Sequence, residues 1–95
     1  MLLDNSFSEN GKTVIVELKN YISGASLEGE SLAQLYRYKT VLSQNIDKFS
    51  RIEYVFTTLE AAQNNMANLN LILRDKVSIY FVNTNGFKQL LTKAK

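Results

Sequence analysis

Three short runs of β-branched and aromatic residues place the strongest constraint on how this chain can fold. They occupy residues 13–19, 51–57 and 77–82. Such side chains favour strands, and short, nearly continuous apolar runs are typical of strands that are buried in the core of a sheet. Segments with helical spacing or helix-favouring composition separate the three runs. The pattern therefore predicts an α/β fold built around a mixed central sheet that is flanked by helices.

The segment before the first run predicts a hairpin. Asn10-Gly11 is a strong signal for a two-residue turn between extended segments. Residues 2–7 are therefore expected to form a strand that pairs with residues 13–19. Because the run at 13–19 is apolar on both faces, it is expected to be an interior strand of the sheet.

The remaining segments complete the order of elements. Residues 31–46 predict a helix whose buried stripe is formed by Leu32, Leu35, Leu42 and Ile46 at helical spacing. Residues 59–73 favour helix despite an Asn-rich centre, and residues 87–95 predict a short terminal helix after a turn at 83–86. The predicted order is strand 2–7, strand 13–19, helix 31–46, strand 51–57, helix 59–73, strand 77–82 and helix 87–95.

Composition limits the number of domains and the available chemistry. The 95 residues suffice for one domain, 1–95, and the net charge of +2 permits DNA binding without indicating it. The chain has no Cys and no His, which excludes disulfides, thiolate and imidazole metal sites and Ser-His-Asp catalysis. A metal site would need oxygen ligands, which suit magnesium or manganese. No apolar run approaches the ~20 residues that span a bilayer, so a cytoplasmic protein without a membrane segment is expected.

The most specific chemical signal is Glu17-Leu18-Lys19 at the end of the first apolar run. Residues two apart in a strand point to the same face, so Glu17 and Lys19 are expected to project together. Charged groups beside a buried strand are costly unless they are solvated or paired. A functional site would explain them, and so would a strand that simply ends at a solvated edge. With the Lys19 charge either solvated or paired in the site, and not packed in the core, Lys19→Ala is expected to cost little stability.

Asp4 lies across the predicted hairpin from Glu17, where its carboxylate can approach that of Glu17. Two carboxylates and a phosphate oxygen can hold a hard divalent cation, which would polarise the phosphate and activate a water. Lys19 would then stabilise the developing negative charge. Alternatively, Asp4 is a terminal residue or forms a turn beside Asn5.

The first predicted helix carries Gln34 and Tyr38, one helical turn apart on a shared face. A Gln in this place can position a water or a phosphate, and a Tyr can donate a hydrogen bond while its ring packs. Arg37 is a candidate for contact with the DNA backbone, among several basic residues with the same possible role: Lys12, Lys19, Lys39, Lys48 and Arg51. The competing interpretation is a surface Gln, a half-buried Tyr and a solvated basic helix face.

The arrangement of Asp4, the NGK turn, VIVELKN and a helix with Gln34 and Tyr38 resembles the PD-(D/E)XK nuclease superfamily, and its Gln-x-x-x-Tyr element is similar to that of the RecB-like branch. It also looks like the mismatch-specific archaeal endonucleases and the nuclease-like domains attached to some bacterial ATPases. The resemblance covers residues 4–38. It implies a restriction-endonuclease-like sandwich, with Asp4 and Glu17 as ligands of Mg²⁺ or Mn²⁺ and Lys19 and Gln34 completing the catalytic site. Tyr38 would lie beside Gln34 and contact the substrate, and Arg37 is added as a substrate contact because of its positive charge and not because of the resemblance.

The chain departs from the family before the first strand. The family usually has a helix there, whereas only three residues precede Asp4, and the Pro that often stands before that Asp is missing. The expectation is that the N-terminal helix is missing, with the chain a fragment of a larger protein or the helix supplied by a homodimer partner. The predicted function is a magnesium-dependent DNA endonuclease. The alternatives are a non-catalytic nuclease-like module that binds nucleic acid or a protein partner, and an unrelated α/β domain.

Overall fold

The computed structural model describes residues 5–21 and 25–95 and shows a five-stranded mixed sheet with two helices. This confirms the α/β class that the three apolar runs predict. The elements in chain order are β1 (Asn5–Glu9), β2 (Lys12–Lys19), α1 (Glu30–Gln44), β3 (Phe49–Phe56), α2 (Leu59–Leu73), a 3-10 turn (Arg74–Lys76), β4 (Val77–Val82) and β5 (Lys88–Thr92).

The strands lie side by side in the order in which they occur in the chain. β2, β3 and β4 are parallel and form the centre, while β1 and β5 run antiparallel at the two edges. Helix α1 makes the crossover from β2 to β3, and α2 makes the next one to β4. Because both crossovers step across the sheet in the same direction, right-handed connections put both helices on one face.

The hairpin at Asn10-Gly11 forms as the sequence predicts. Both residues have positive φ angles, 52° and 81°, which a tight type I′ connection requires and which Asn and Gly tolerate best. β2 pairs with β1 on one side and with β3 on the other, so its predicted interior position is confirmed. β1 is described from Asn5 onward, and the earlier part of the predicted strand lies outside the described residues.

The hydrophobic core lies between the sheet and the two helices. Alternate residues of the three central strands point toward it, and α1 and α2 contribute buried residues at helical spacing. Each helix has 15 residues, and none in the described part of the chain is long and apolar enough to span a membrane. The fully buried side chains of this layer include Ile15, Leu35, Tyr38, Ile52, Tyr54, Phe56, Leu69 and Ile79.

The opposite face of the sheet, called the open face below, is not covered by a helix within residues 5–21 and 25–95. It carries partly exposed apolar residues, such as Phe7 and Leu18, and a group of charged residues. The C-terminal segment covers one part of it, where the backbone N–H of Ala94 donates to Ser78 Oγ at 2.8 Å. The described chain therefore has two layers, and the expected helices on both sides of the sheet are not found in it.

The prediction of a helix at residues 87–95 is wrong, because this segment forms β5. Its local preference for helix is overridden by the free edge of β4, whose backbone groups β5 pairs antiparallel. The connecting turn fixes that geometry, since Asn83 Oδ1 accepts backbone N–H bonds from Asn85 and Phe87, each at 3.0 Å. Gly86 supplies the positive φ of 84° within the turn.

Helix α1 ends two residues earlier than the predicted boundary. The backbone N–H of Asn45 bonds the carbonyl of Val41 at 3.1 Å, and its side-chain amide donates to the same carbonyl at 3.0 Å. Ile46 therefore lies beyond the helix and is 56% exposed. Its predicted place in the buried stripe is wrong, whereas Leu35 and Leu42 are buried as expected.

Candidate functional site

Glu17 and Lys19 project from β2 toward the helical layer, as their spacing in a strand predicts. They share that face with Ile15, while Leu18 between them lies on the open face and is 58% exposed. Both charged residues are buried, with Glu17 6% and Lys19 9% exposed. Of the two expectations for the Lys19 charge, solvated or paired in the site, the structure shows pairing, and because the side chain is buried its ammonium depends on protein partners.

Helix α1 brings the two polar residues of its inner margin onto this pair. The Tyr38 hydroxyl donates to Glu17 Oε2 at 2.7 Å, and Lys19 Nζ donates to Gln34 Oε1 at 2.9 Å. Tyr38 is only 1% exposed, so its ring packs in the core while its hydroxyl donates, and the competing interpretation of a half-buried Tyr is wrong. The structure thus brings together Glu17, Lys19, Gln34 and Tyr38.

The ion pair at the centre of this cluster is well compensated. Lys19 Nζ lies 3.2 Å from Glu17 Oε1 and also contacts Ser31 Oγ at 3.4 Å. Lys19 therefore has three oxygen partners, and each oxygen of Glu17 accepts one donor. Buried charges are tolerated when they are paired and hydrogen-bonded, and removal of one partner leaves the other at high cost. We call Glu17, Lys19, Ser31, Gln34 and Tyr38 the β2–α1 cluster.

A small cavity of about 200 Å³ opens beside Lys19. Arg37 and Glu30 line it together with Lys19. Arg37, which is predicted to contact the substrate, therefore lies at the same opening as Lys19. Sequence reasoning missed Glu30 and Ser31 as members of the site. The available signal was their position one helical turn before Gln34, which puts them on the same face of α1.

The expected metal site cannot be assembled from the described residues, because Asp4 lies outside them. Among residues 5–21 and 25–95, no three acidic side chains come close enough to hold a metal ion. The oxygen atoms of Glu17, Gln34 and Ser31 are of the kind that binds a hard cation such as Mg²⁺ or Mn²⁺. Glu17 does not line the cavity, however, whereas the ammonium of Lys19 and the guanidinium of Arg37 do. The described lining by itself therefore favours an anion, and a metal site would need the Asp4 carboxylate as well.

Tyr54 is a further polar residue near Glu17 that sequence reasoning did not identify. It pairs with Glu17 in the register between β2 and β3, and its side chain is fully buried on the same face. Burial and the negative charge of Glu17 raise the pKa of the Tyr54 hydroxyl far above its usual range, so the hydroxyl stays protonated. It has no hydrogen-bond partner among the described residues.

The open face carries a second ionic group, which we call the Glu53 network. Glu53 is 2% exposed and accepts from Arg51 at 2.9 Å, from the Tyr80 hydroxyl at 3.3 Å and from Lys88 at 3.4 Å. Arg51 also bonds Glu9 on β1 at 2.6 Å. The suggestion that Arg51 flanks a DNA track is therefore not supported, since both ends of its guanidinium are bound to carboxylates.

A larger cavity, of about 530 Å³, lies where β3 and β4 end. Thr57, Leu59, Phe81 and Thr84 are among the residues that line it, and no charged residue of the described part of the chain contributes to its wall. The backbone N–H of Thr57 donates to the carbonyl of Lys19 at 3.3 Å, so this cavity begins next to the end of β2. It lies on the same edge of the sheet as the β2–α1 cluster.

Fold and site together define a small α/β domain with a buried carboxylate–ammonium pair at the carboxyl end of a central strand. Comparisons of the chain with protein-family models, curated proteins and solved structures found no match. Function therefore has to be inferred from the geometry of the β2–α1 cluster and the cavity beside it.

Proposed function

We propose that this chain is a nuclease domain of the PD-(D/E)XK type that hydrolyses DNA phosphodiester bonds with Mg²⁺ or Mn²⁺. One observation carries the proposal. Four residues that the resemblance assigns to one site (Glu17, Lys19, Gln34 and Tyr38) come from two separate elements and meet through hydrogen bonds of 2.7–3.2 Å. Any buried Glu–Lys pair needs polar partners, but here the partners are the Gln and Tyr that the resemblance assigns to the same site.

Two features of the fold support the finer assignment to a restriction-endonuclease-like domain. The E-x-K strand is an interior strand of a five-stranded mixed sheet, and it is joined by a hairpin to the strand that follows Asp4. The helix that completes the site follows the E-x-K strand directly in the chain.

The residues have distinct roles in this proposal. Lys19 offers its ammonium to the scissile phosphate and stabilises the negative charge that develops in the transition state. Gln34 holds the Lys19 side chain in place and can hydrogen-bond a phosphate oxygen or the attacking water. Tyr38 fixes the rotamer of Glu17, and Arg37 adds positive charge at the mouth of the cavity.

Glu17, together with Asp4, would hold the metal. When bound, the ion lowers the pKa of a coordinated water and polarises the phosphate. The carboxylate of Glu17 is suited to this because, among residues 5–21 and 25–95, each of its oxygens accepts one donor, which leaves lone pairs for a cation.

A second candidate function is favoured by the completeness of the β2–α1 cluster. Lys19 already has three oxygen partners, and Glu17 is almost fully buried. A cluster of this kind is also what a nuclease-like module would keep if it binds nucleic acid or a protein without cleaving. The two functions differ in one property, namely metal-dependent turnover.

The deciding experiment is a cleavage assay on plasmid, single-stranded, branched and mismatched DNA, with Mg²⁺ or Mn²⁺ against a chelator. Lys19→Met should lower the cleavage rate by at least about 100-fold, because it removes a donor to the transition state. Leu71→Ala, at an exposed position of α2 away from the cluster, is the matched control and should keep the wild-type rate. Cleavage at the wild-type rate in chelator, or by Lys19→Met with metal, would refute the mechanism. DNA binding that needs no metal and is not followed by cleavage would favour the non-catalytic module.

A further inference from the structure

The Tyr54 hydroxyl stands out because it is buried without a partner. The side chain lies at the centre of the sheet and is fully inaccessible, yet its hydroxyl has no hydrogen-bond partner among residues 5–21 and 25–95. A buried hydroxyl loses its bond to water and normally recovers one within the protein, so unpaired cases are rare. Its neighbour in the sheet register is Glu17, the most buried charge of the β2–α1 cluster.

The two donors that already serve Glu17 differ in their freedom to move. Tyr38 is in the core, and its bond to Glu17 Oε2 is 2.7 Å long. Lys19, which serves Oε1 at 3.2 Å, also lines the cavity together with Arg37. Only Lys19 can therefore turn from the carboxylate toward a ligand in that cavity.

The lining of the cavity indicates what such a ligand can be. Lys19 and Arg37 supply two positive charges, Ser31 supplies a hydroxyl, and Glu30 adds one carboxylate. The excess of positive charge beside hydrogen-bond donors favours an oxyanion of the phosphate class.

When Lys19 turns to such an anion, Glu17 Oε1 loses its donor while it remains buried. An uncompensated buried carboxylate is expensive, and that cost would oppose ligand binding. A protonated hydroxyl on the adjacent strand can remove the cost. The Tyr54 hydroxyl is available for this, because it is buried next to Glu17 in the sheet register and has no partner among the described residues.

We propose that Tyr54 is the reserve hydrogen-bond donor of Glu17, taking the place of Lys19 when Lys19 binds a phosphate-class oxyanion in the cavity. Tyr54 is then a positioning residue that keeps the carboxylate in place without touching the ligand. The inference rests on the proposed function only for the identity of the natural ligand, since the exchange of donors follows from the cluster itself.

The test is a double-mutant cycle on the equilibrium of unfolding, with Lys19→Met imitating the departure of the ammonium. Tyr54→Phe alone should leave the unfolding constant within about threefold of wild type, because no bond is lost. In the Lys19→Met background, Tyr54→Phe should raise the unfolding constant about tenfold further, because the reserve donor is then in use. Tyr36→Phe, at an exposed position of α1, is the matched control and should be neutral in both backgrounds.

The same proteins should be titrated with inorganic phosphate without metal, which separates positioning from a purely structural role. Phosphate should bind the Tyr54→Phe protein about tenfold more weakly than wild type or Tyr36→Phe. An additive cycle, or equal phosphate affinity of wild type and Tyr54→Phe, would overturn the proposal. If the cycle shows coupling and Tyr54→Phe weakens phosphate binding, but the wild-type protein cleaves no DNA, the reserve-donor role of Tyr54 is supported. In that case only the proposed nuclease function is refuted.

Discussion

The two neighbouring strands β2 and β3 each carry a carboxylate and a cation two residues apart, and the two pairs project to opposite faces of the sheet. Glu17 and Lys19 face the helices, whereas Arg51 and Glu53 lie on the open face. Both carboxylates are buried. Among the described residues, Glu17 has two donors and Glu53 has three. The difference lies in what completes each pair.

The Glu53 network is completed by other strands. Arg51 reaches Glu9 on β1, and Glu53 accepts from Tyr80 on β4 and Lys88 on β5. These bonds tie both edges of the sheet to its centre. The β2–α1 cluster is completed by side chains of one helix and opens into a cavity through Lys19. A charged pair in a strand is therefore structural or available to a ligand according to which element supplies its partners.

The largest effect on stability is expected at the open face. Arg51→Met removes the strongest partner of Glu53 and should lower the free energy of unfolding by about 3 kcal/mol, since breaking a buried ion pair leaves the other charge uncompensated. Chemical denaturation of the variant measures the loss. Lys88→Met is the control, because this partly exposed residue contacts Glu53 only at 3.4 Å and should cost under about 1 kcal/mol. Equal losses of stability in Arg51→Met and Lys88→Met would show that Arg51 is not the dominant partner of Glu53.

Lys19→Met should lower the free energy of unfolding by about 2 kcal/mol, less than Arg51→Met because Arg51 bonds two carboxylates, those of Glu9 and Glu53, whereas Lys19 neutralises only Glu17. This replaces the expectation of little change, because the structure shows the ammonium both paired and buried. The variant should also lose DNA cleavage, whereas Arg51→Met should affect stability alone. The comparison of the two faces fails if Arg51→Met, assayed well below its unfolding temperature, abolishes cleavage as well.

Tyr38→Phe should cost about 1.5 kcal/mol, the lower range for a hydrogen bond to a charged group, because the ring still fills its place in the core. Thermal unfolding measures this loss against Tyr36→Phe, which should change stability by less than about 0.5 kcal/mol. If the two variants unfold alike, the bond between Tyr38 and Glu17 contributes nothing to stability.

The smallest effect is the pH dependence of the Glu9–Arg51 bond. The hydrogen bond from Arg51 lowers the pKa of Glu9 below its usual value of 4.5. The folded state thus holds the carboxylate charged more strongly than the unfolded state, so the stabilisation is fully present above about pH 4.5. It is lost as the pH falls through the lower folded value. The stability difference between wild type and Glu9→Gln should therefore shrink on acidification, and a constant difference would contradict the ion pair.

Local patterns in the sequence predicted the part of the fold that depends on them. The Asn10-Gly11 turn, the interior position of β2 and the existence of α1 follow from turn chemistry and periodicity. Residues 87–95 were misassigned because their pattern permits a helix, and the deciding factor was the free edge of β4, which lies outside the segment. Ile46 was misplaced because a cap by Asn45 ends the helix first.

The sequence predicted those site residues that are related by spacing within one strand or one helix. Glu17 with Lys19, and Gln34 with Tyr38, follow from the periods of a strand and a helix. Tyr54 was missed because its relation to Glu17 exists only through the parallel pairing of β2 with β3, across more than 30 residues of chain. The burial of Lys19 was missed for a related reason, since it depends on how closely α1 packs on β2. The metal role of Asp4 stays a prediction.

The parallel pairing of the central strands also determines when, during folding, the β2–α1 cluster can form. The β1–β2 and β4–β5 hairpins close short loops and can form early, whereas β2–β3 and β3–β4 pairing must close much longer ones. Glu17 meets Tyr38 and Tyr54 only after that closure. A chain that has formed its hairpins alone therefore lacks the assembled β2–α1 cluster, whatever the activity of that cluster is.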